Sequence, residues 1–130
     1  MATRKGSSQP RGKGKTILFL HKPNCTTCRK ARKYMERRGY PLYFRDLAKD
    51  HLSATELEKL IGPRDHTEFL NSRNELFRRK KMKANPPPRK EAIRLMAGEP
   101  NLIRRPLMVL GKRIVAGFDR EKIKKLFSHD

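Results

Sequence analysis

Long apolar runs, tryptophan and all but two cysteines are missing from this sequence. No stretch approaches the roughly 18 consecutive apolar residues of a membrane span, and the first fifteen residues lack the apolar segment of a secretory signal. We therefore expect a cytoplasmic chain without a membrane segment. Because a reducing compartment keeps ordinary thiols reduced, two cysteines there argue against a disulfide scaffold. A disulfide between them would be transient, which favours catalysis or sensing.

Acidic residues are also scarce. The chain of 130 residues has 33 lysines and arginines against 13 aspartates and glutamates, a formal charge of +20. Such an excess favours anionic partners, namely oxyanions, nucleic acid or acidic protein surfaces. Residues 1–15 carry several cations and no acid, which predicts a disordered basic arm through which nucleic acid could be contacted. Residues 16–130 have the length of one domain.

The first half of that domain is predicted to form a strand, a helix and a second strand. Thr16–Leu20 is a short β-branched and aromatic run, which predicts a buried strand. A helix follows from about Thr26 to Arg38 and stops at Gly39, and Tyr40–Leu47 is a second strand. Two such strands joined through a helix are expected to pair in parallel across a right-handed crossover.

The second half is predicted to be helical first and then a β-hairpin. Ser53 followed by Glu56 is a capping-box pattern, so a helix should begin there and end at Gly62. The remaining elements follow in order: one or two short helices in residues 67–82, a proline-rich linker, a helix in residues 90–100, a hairpin formed by "PLMVL" and "RIVAGF", and a last helix from Asp119.

Both cysteines stand at the first strand-to-helix junction, in "HKPNCTTCRK". Cys25 falls at the helix start, where unpaired N–H groups and the helix dipole favour a thiolate. His21 and the basic residues of the first turns should lower the pKa of Cys25 further. Cys28 shares a helical face with Ala31 and Met35 that should pack on the sheet. Cys25 is therefore the predicted nucleophile, and Cys28 the buried resolving thiol.

Two other interpretations of the cysteine pair stay open. A zinc site usually needs four ligands, and the CxxC motif supplies two; the four histidines have no paired H-x₃₋₅-H spacing, so we predict no metal. The cysteines could instead be inert core residues, because unpaired cysteine is among the most buried residue types.

Four segments resemble the arsenate reductase/Spx family of thioredoxin-like proteins in order and spacing. They are "HKPNCTTCRKARKYME", "FLNSRNELF", "LIRRPLMV" and "GKRIVAGFDREKIKKLF". The resemblance covers about residues 16–128. It implies an α/β, thioredoxin-like mixed four-stranded sheet with flanking helices and a helical insertion between strands 2 and 3.

The resemblance also implies roles for individual residues. His21, Pro23 and Cys25 match the H-x-P-x-C loop of glutathione- and glutaredoxin-linked arsenate reductases, in which the cysteine attacks arsenate. Arg105 matches the arginine that holds the oxyanion, and a planar guanidinium suits such a ligand. Pro106 matches a cis-proline that faces the cysteine loop.

Three departures from those reductases accompany the match. Ala116 stands where they carry a further arginine after the hairpin, and their arginine of the insertion maps onto either Asn71 or Arg73. The reductases also have a single cysteine in the loop, whereas "CTTCRKAR", with Cys28, resembles the Spx branch, whose CxxC is a redox switch.

Two hypotheses follow from this resemblance. The first is a thiol-dependent oxidoreductase that acts on a small oxyanion or a thiol/disulfide substrate. It would hold no tightly bound cofactor and would be recycled by glutathione, glutaredoxin or thioredoxin as a redox partner. The second is an Spx-type redox-sensing regulator that binds the C-terminal domain of the RNA polymerase α subunit. We expect a monomer in either case.

Overall fold

The computed structural model describes residues 16–127. The basic arm predicted for residues 1–15 lies outside them, as do residues 128–130. Two compact units make up the described chain: one contains the residues up to Asp46 and from Pro106 onward, and the other is Leu47–Arg105.

The first unit contains a mixed four-stranded sheet. Its strands are β1 (Ile17–His21), β2 (Leu42–Asp46), β3 (Leu107–Leu110) and β4 (Arg113–Ala116). They lie in the order β2-β1-β3-β4, with β1 parallel to β2 and antiparallel to β3, and with β3 and β4 forming a hairpin. Gly111 in the hairpin turn has a φ of 63°, the left-handed conformation that glycine adopts without steric cost.

Helices α1 (Thr26–Arg37) and α5 (Arg120–Phe127) supply the rest of this unit's core. Cys28, Ala31 and Met35 are completely buried, which confirms the predicted packed face of α1. Ala31 and Met35 join a cluster with Phe19 of β1, and α5 contributes Ile123 and Phe127 to it. Burial of this stripe, more than intrinsic helix propensity, stabilises α1.

The second unit is the helical insertion. It contains α2 (Ala54–Ile61), a 3₁₀ turn (His66–Phe69), α3 (Glu75–Arg79), α4 (Arg89–Gly98) and a second 3₁₀ turn (Pro100–Leu102). The predicted capping box is present at α2, because the Glu56 N–H donates to Ser53 Oγ at 3.1 Å and the Ser53 N–H donates to Glu56 Oε1 at 3.0 Å.

The predicted fold class is therefore confirmed, with a mixed sheet, flanking helices and a helical insertion between β2 and β3. One boundary differs from the prediction. The sequence predicts His21 in the loop, but it is the last residue of β1, where it pairs with Asp46 of β2. Among residues 16–127, no helix is long and apolar enough to cross a membrane.

Candidate thiol site

Cys25 is the residue that immediately precedes α1. It has an extended backbone (φ −90°, ψ 127°), its side chain makes no capping hydrogen bond, and its carbonyl accepts the first helical bond from the Arg29 N–H at 3.0 Å. The Cys25 N–H donates to the Lys22 carbonyl at 2.9 Å, which closes the turn after β1. The thiol is half-buried and lies at the N-terminal end of a helix of 12 residues, where the helix dipole stabilises negative charge.

Cys28 lies nearly one turn farther along the same helix. It is completely buried, whereas Cys25 is partly exposed, and both are thiols in this structure. The two cysteines therefore differ in solvent access, as the helical pattern predicts. Attack by an external reagent is easier at Cys25, and Cys28 lies on the face of α1 that packs into the core.

His21 is held between aromatic rings at the end of β1. It is only 5% exposed, and its ring centroid lies 5.2 Å from that of Phe19 and 5.2 Å from that of Phe44. Burial lowers the pKa of His21 below its ordinary value of 6.5, with Asp46 acting in the opposite direction and Arg32 in the same one. The imidazole is therefore neutral at pH 7 and contributes less positive charge than the sequence suggested.

Phe44 and Asp46 also lie next to His21, although no sequence motif points to either one. Asp46 is the register partner of His21. The Arg32 guanidinium carbon lies 4.4 Å from the centre of the Phe44 ring, a cation–π distance. The sequence indicates that the carboxyl ends of these two parallel strands meet at one sheet edge, but not which residue of β2 pairs with His21.

Pro106 stands just before β3, next to β1. The β1/β3 register pairs Leu20 with Leu107, and continuing it by one residue puts Pro106 opposite His21. Pro106 is buried, and its carbonyl accepts a hydrogen bond from the Gly117 N–H at 2.8 Å. Pro106 and the cysteine turn thus lie at the same end of β1. The cis form of the peptide bond before Pro106 stays a prediction.

Arg105 belongs to the second unit, as its last residue. Its Nη1 donates to the carbonyls of Pro100 at 3.5 Å and Ile103 at 3.4 Å, both long hydrogen bonds. Its Nε–H is buried and has no hydrogen-bond partner. Because a buried donor without an acceptor costs free energy, this N–H favours a ligand oxygen.

The two candidates for the insertion arginine have different surroundings. Asn71 has a structural role: its Nδ2 donates to the Asn101 carbonyl at 3.0 Å, and its Oδ1 accepts from the Arg73 N–H at 3.0 Å. Arg73 is exposed, and its carbonyl accepts a 2.9 Å hydrogen bond from Arg78 Nη1. Arg73 therefore remains the candidate with a cationic side chain at the surface of the second unit.

These residues divide between the two units. His21, Cys25, Cys28 and Pro106 belong to the first, and Arg73 and Arg105 to the second. Within residues 16–127, no cluster of three or more histidine, cysteine or acidic side chains could hold a metal ion, so this part of the chain offers no ligand set for zinc.

Comparison with known proteins supports the family resemblance. The model of the ArsC family matches residues 20–126. The global transcriptional regulator Spx of Enterococcus faecalis is 32% identical over 116 residues, 88% of this chain and 88% of that protein.

Solved structures show the same fold. An ArsC family related protein from Bacteroides fragilis is 29% identical, with a TM-score of 0.72 over 84% of this chain and 95% of that one. The arsenate reductase of Vibrio cholerae reaches a TM-score of 0.74 over 87% of this chain and 98% of its own, but at 20% identity it is evidence of the fold alone.

Proposed function

The chain belongs to the ArsC family, and from that membership we propose that it is a thiol-dependent oxidoreductase of arsenate reductase type. Cys25 is the nucleophile in this proposal, and Cys28 is the resolving thiol. The observation that carries it is the contrast between a half-buried Cys25 at the start of α1 and a fully buried Cys28 nearly one turn later. A thiolate at a helix N-terminus is both stabilised and accessible, as attack on a substrate requires.

The proposed reaction uses both cysteines, which together supply the two electrons that reduce arsenic. The Cys25 thiolate attacks arsenic(V), and water leaves as the S–As bond forms. The Cys28 thiolate then attacks the Cys25 sulfur; the S–S bond forms, the S–As bond breaks, and its electron pair remains on arsenic, which leaves as arsenite. Glutathione, glutaredoxin or thioredoxin supplies the two electrons that return the disulfide to two thiols.

We assign oxyanion binding to Arg105. Its buried Nε–H has no acceptor, and its other hydrogen bonds to main-chain carbonyls are long. An arsenate oxygen would satisfy this donor with a charge-assisted hydrogen bond, which is shorter and stronger than a neutral one. Arg73 is a supporting cation in this proposal, and His21 and Pro106 support the cysteine turn.

Substitution of Arg105 tests the enzyme proposal. Arg105→Ala should lower arsenate-dependent turnover about 10²-fold or more, because a removed oxyanion donor typically costs that much. It should leave oxidation of Cys25 and Cys28 to a disulfide unchanged. Turnover is measured by coupled thiol oxidation, with glutaredoxin and with thioredoxin as reductant.

Arg104→Ala is the matched control, because the neighbouring Arg104 is exposed and donates only a long 3.4 Å hydrogen bond to the Glu68 carbonyl. Equal turnover of the two variants would remove the oxyanion role from Arg105. Absence of arsenate-dependent turnover in the parent protein with both reductants would remove the enzyme proposal itself.

A second candidate function is a redox-sensing transcriptional regulator of Spx type. It is favoured by the similarity to the Enterococcus faecalis regulator, which extends over 88% of both chains, and by the second cysteine of the CxxC. In this proposal, closure of the Cys25–Cys28 disulfide changes binding to the C-terminal domain of the RNA polymerase α subunit.

A pull-down with the purified α-subunit domain distinguishes this candidate from the enzyme. Binding that differs between thiol-reduced and diamide-oxidised protein, and that becomes insensitive to diamide in Cys28→Ser, would support the regulator. No binding in either redox state would eliminate it, whatever the turnover assay gives.

A further inference from the structure

The C-terminal end of α3 carries a dense group of cations within the second unit. We call Arg78, Arg79, Lys80, Lys81 and Lys83 the basic turn, and all five side chains are exposed. The proposed thiol chemistry uses none of them. They continue from α3 through its C-terminal cap at Lys80 into the loop that follows.

Two main-chain hydrogen bonds fix the shape of the basic turn. The Lys81 N–H donates to the Arg78 carbonyl at 3.1 Å, and the Met82 N–H donates to the Phe77 carbonyl at 3.0 Å. This pattern is a Schellman motif, in which the residue after the helix cap is left-handed and the next one is apolar. Met82 is only 2% exposed, so it anchors the turn to the core while the flanking lysines face solvent.

Lys81 occupies the position of that motif where glycine is normally found. Its φ is 51°, and among the described residues it is the one non-glycine with a positive φ. A side chain in this conformation is sterically unfavourable, so Lys81 makes this turn less stable than glycine would. Backbone strain of this kind is a reason to look for a function of the side chain.

The positive charge of the basic turn has little internal compensation. Outside this segment, Glu91 interacts electrostatically with Lys80. Within it, Glu75 is the one acidic residue between Arg73 and Lys83. Its ion pair with Arg79 spans 3.7 Å between side chains that are 81% and 64% exposed, so solvent screens it strongly. Consecutive cations repel one another, and an anionic partner would relieve that repulsion.

The apolar residues near the basic turn point to the class of partner. Leu76 and Phe77 are half-buried and Met82 is buried, and the exposed large hydrophobic residue of the described chain, Phe44, belongs to the other unit. Protein partners and membrane surfaces are usually bound through exposed apolar anchors as well as charge. A phosphate backbone needs only cations and hydrogen-bond donors.

We propose that the basic turn binds the phosphate backbone of nucleic acid without sequence preference. The contacts are made by lysine ammonium and arginine guanidinium groups that Met82 and the Schellman motif hold at the surface. This binding is independent of the cysteine chemistry, so the experiments that test it are separate from those that test the enzyme and regulator proposals.

Removal of three charges tests the proposal in the full chain. We would measure binding of a labelled random-sequence DNA duplex by fluorescence anisotropy from about 50 to about 200 mM NaCl. The variant Arg79→Gln/Lys80→Gln/Lys83→Gln should bind about tenfold more weakly, and the slope of log K against log [NaCl] should become shallower by about 2 to 3. Arsenate-dependent turnover or α-subunit binding, where the parent has either, should be unchanged.

The matched control removes three exposed cations from α1, as Lys30→Gln/Lys33→Gln/Arg37→Gln. It has the same net charge as the first variant, and it should lose less than about threefold in affinity. Equal losses in the two variants would mean that bulk charge attracts the DNA, and would overturn the proposal. The proposal would also be overturned if the first variant bound DNA as the parent does but lost binding to phosphatidylserine vesicles or to an acidic protein such as prothymosin.

Lys81→Gly separates charge from backbone strain. Glycine is unstrained at this φ, so the melting temperature should rise by about 2–5 °C. One lost cation should weaken DNA binding and make the salt slope shallower by about 1. A stabilised variant that binds DNA as tightly as the parent would show that the lysine has no role in binding.

Discussion

Cys25 and Cys28 are separated by two residues, yet their surroundings differ. Cys25 ends the turn after β1 and keeps part of its surface in water, while Cys28 is packed against the core of the first unit. Thiol reactivity depends on thiolate character and on access, and both favour Cys25. This asymmetry suits the proposed redox pair, in which one sulfur attacks and the other closes the disulfide.

Alkylation rates test this asymmetry. Cys28→Ser, which retains Cys25, should react with iodoacetamide at pH 7 about tenfold or more faster than Cys25→Ser, which retains the buried Cys28. The rate is followed by intact-protein mass spectrometry under native conditions. In about 6 M guanidinium chloride the two variants should react alike, which controls for intrinsic thiol chemistry. Equal native rates would contradict the assignment.

His21 makes a pH-dependent contribution to stability. Its pKa is lowered in the folded protein, chiefly by burial. When the pH falls below about 6.5, the unfolded chain therefore takes up a proton before the folded one does, and stability decreases. Replacing His21 by Phe, which fits the aromatic contacts with Phe19 and Phe44, should remove this component of the decrease.

The measurement is the urea midpoint of unfolding between about pH 5 and about pH 8. His51→Gln is the control, because it replaces an exposed histidine that takes no part in the aromatic contacts of His21. Since carboxylates contribute in every variant, the informative quantity is the difference between variants. If His21→Phe loses as much stability as the parent on acidification, burial does not lower this pKa.

At the scale of elements, the strand–helix–strand unit was predictable from local signals. Apolar runs indicated the strands, and the stripe of Cys28, Ala31 and Met35 indicated the buried face of α1. Gly39, with a φ of 79°, indicated the end of that helix. The capping box at Ser53 fixed the start of α2 in the same way. Such features depend on a few neighbouring residues, so a single sequence is sufficient to find them.

Features that depend on distant residues were not predictable in the same way. The partnership of His21 with Asp46, for example, depends on the register of two parallel strands. The Schellman motif is hidden from sequence analysis for another reason. Its sequence signal is glycine at the left-handed position, and this chain has Lys81 there.

At the scale of the whole molecule, charge is the dominant property. The net charge of +20 is distributed over 130 residues, and the exposed surfaces of α1 and the basic turn both carry cations. Self-repulsion of this size destabilises the compact state, because unfolding moves like charges apart. Repulsion between like charges thus lowers the stability of this fold, and screening by salt should reduce that repulsion.

Thermal unfolding at different salt concentrations tests that cost. Between about 0.01 and about 0.15 M NaCl the screening length falls from about 30 Å to about 8 Å, so repulsion across the surface is largely removed. The melting temperature should rise by a few degrees, about 4 °C for each 1 kcal/mol of repulsion relieved. The increase should be smaller in Lys30→Gln/Lys33→Gln/Arg37→Gln, which lacks three of the cations. A melting temperature that falls with salt would instead mean that ion pairs such as Arg89–Glu58, 3.0 Å apart, outweigh the repulsion.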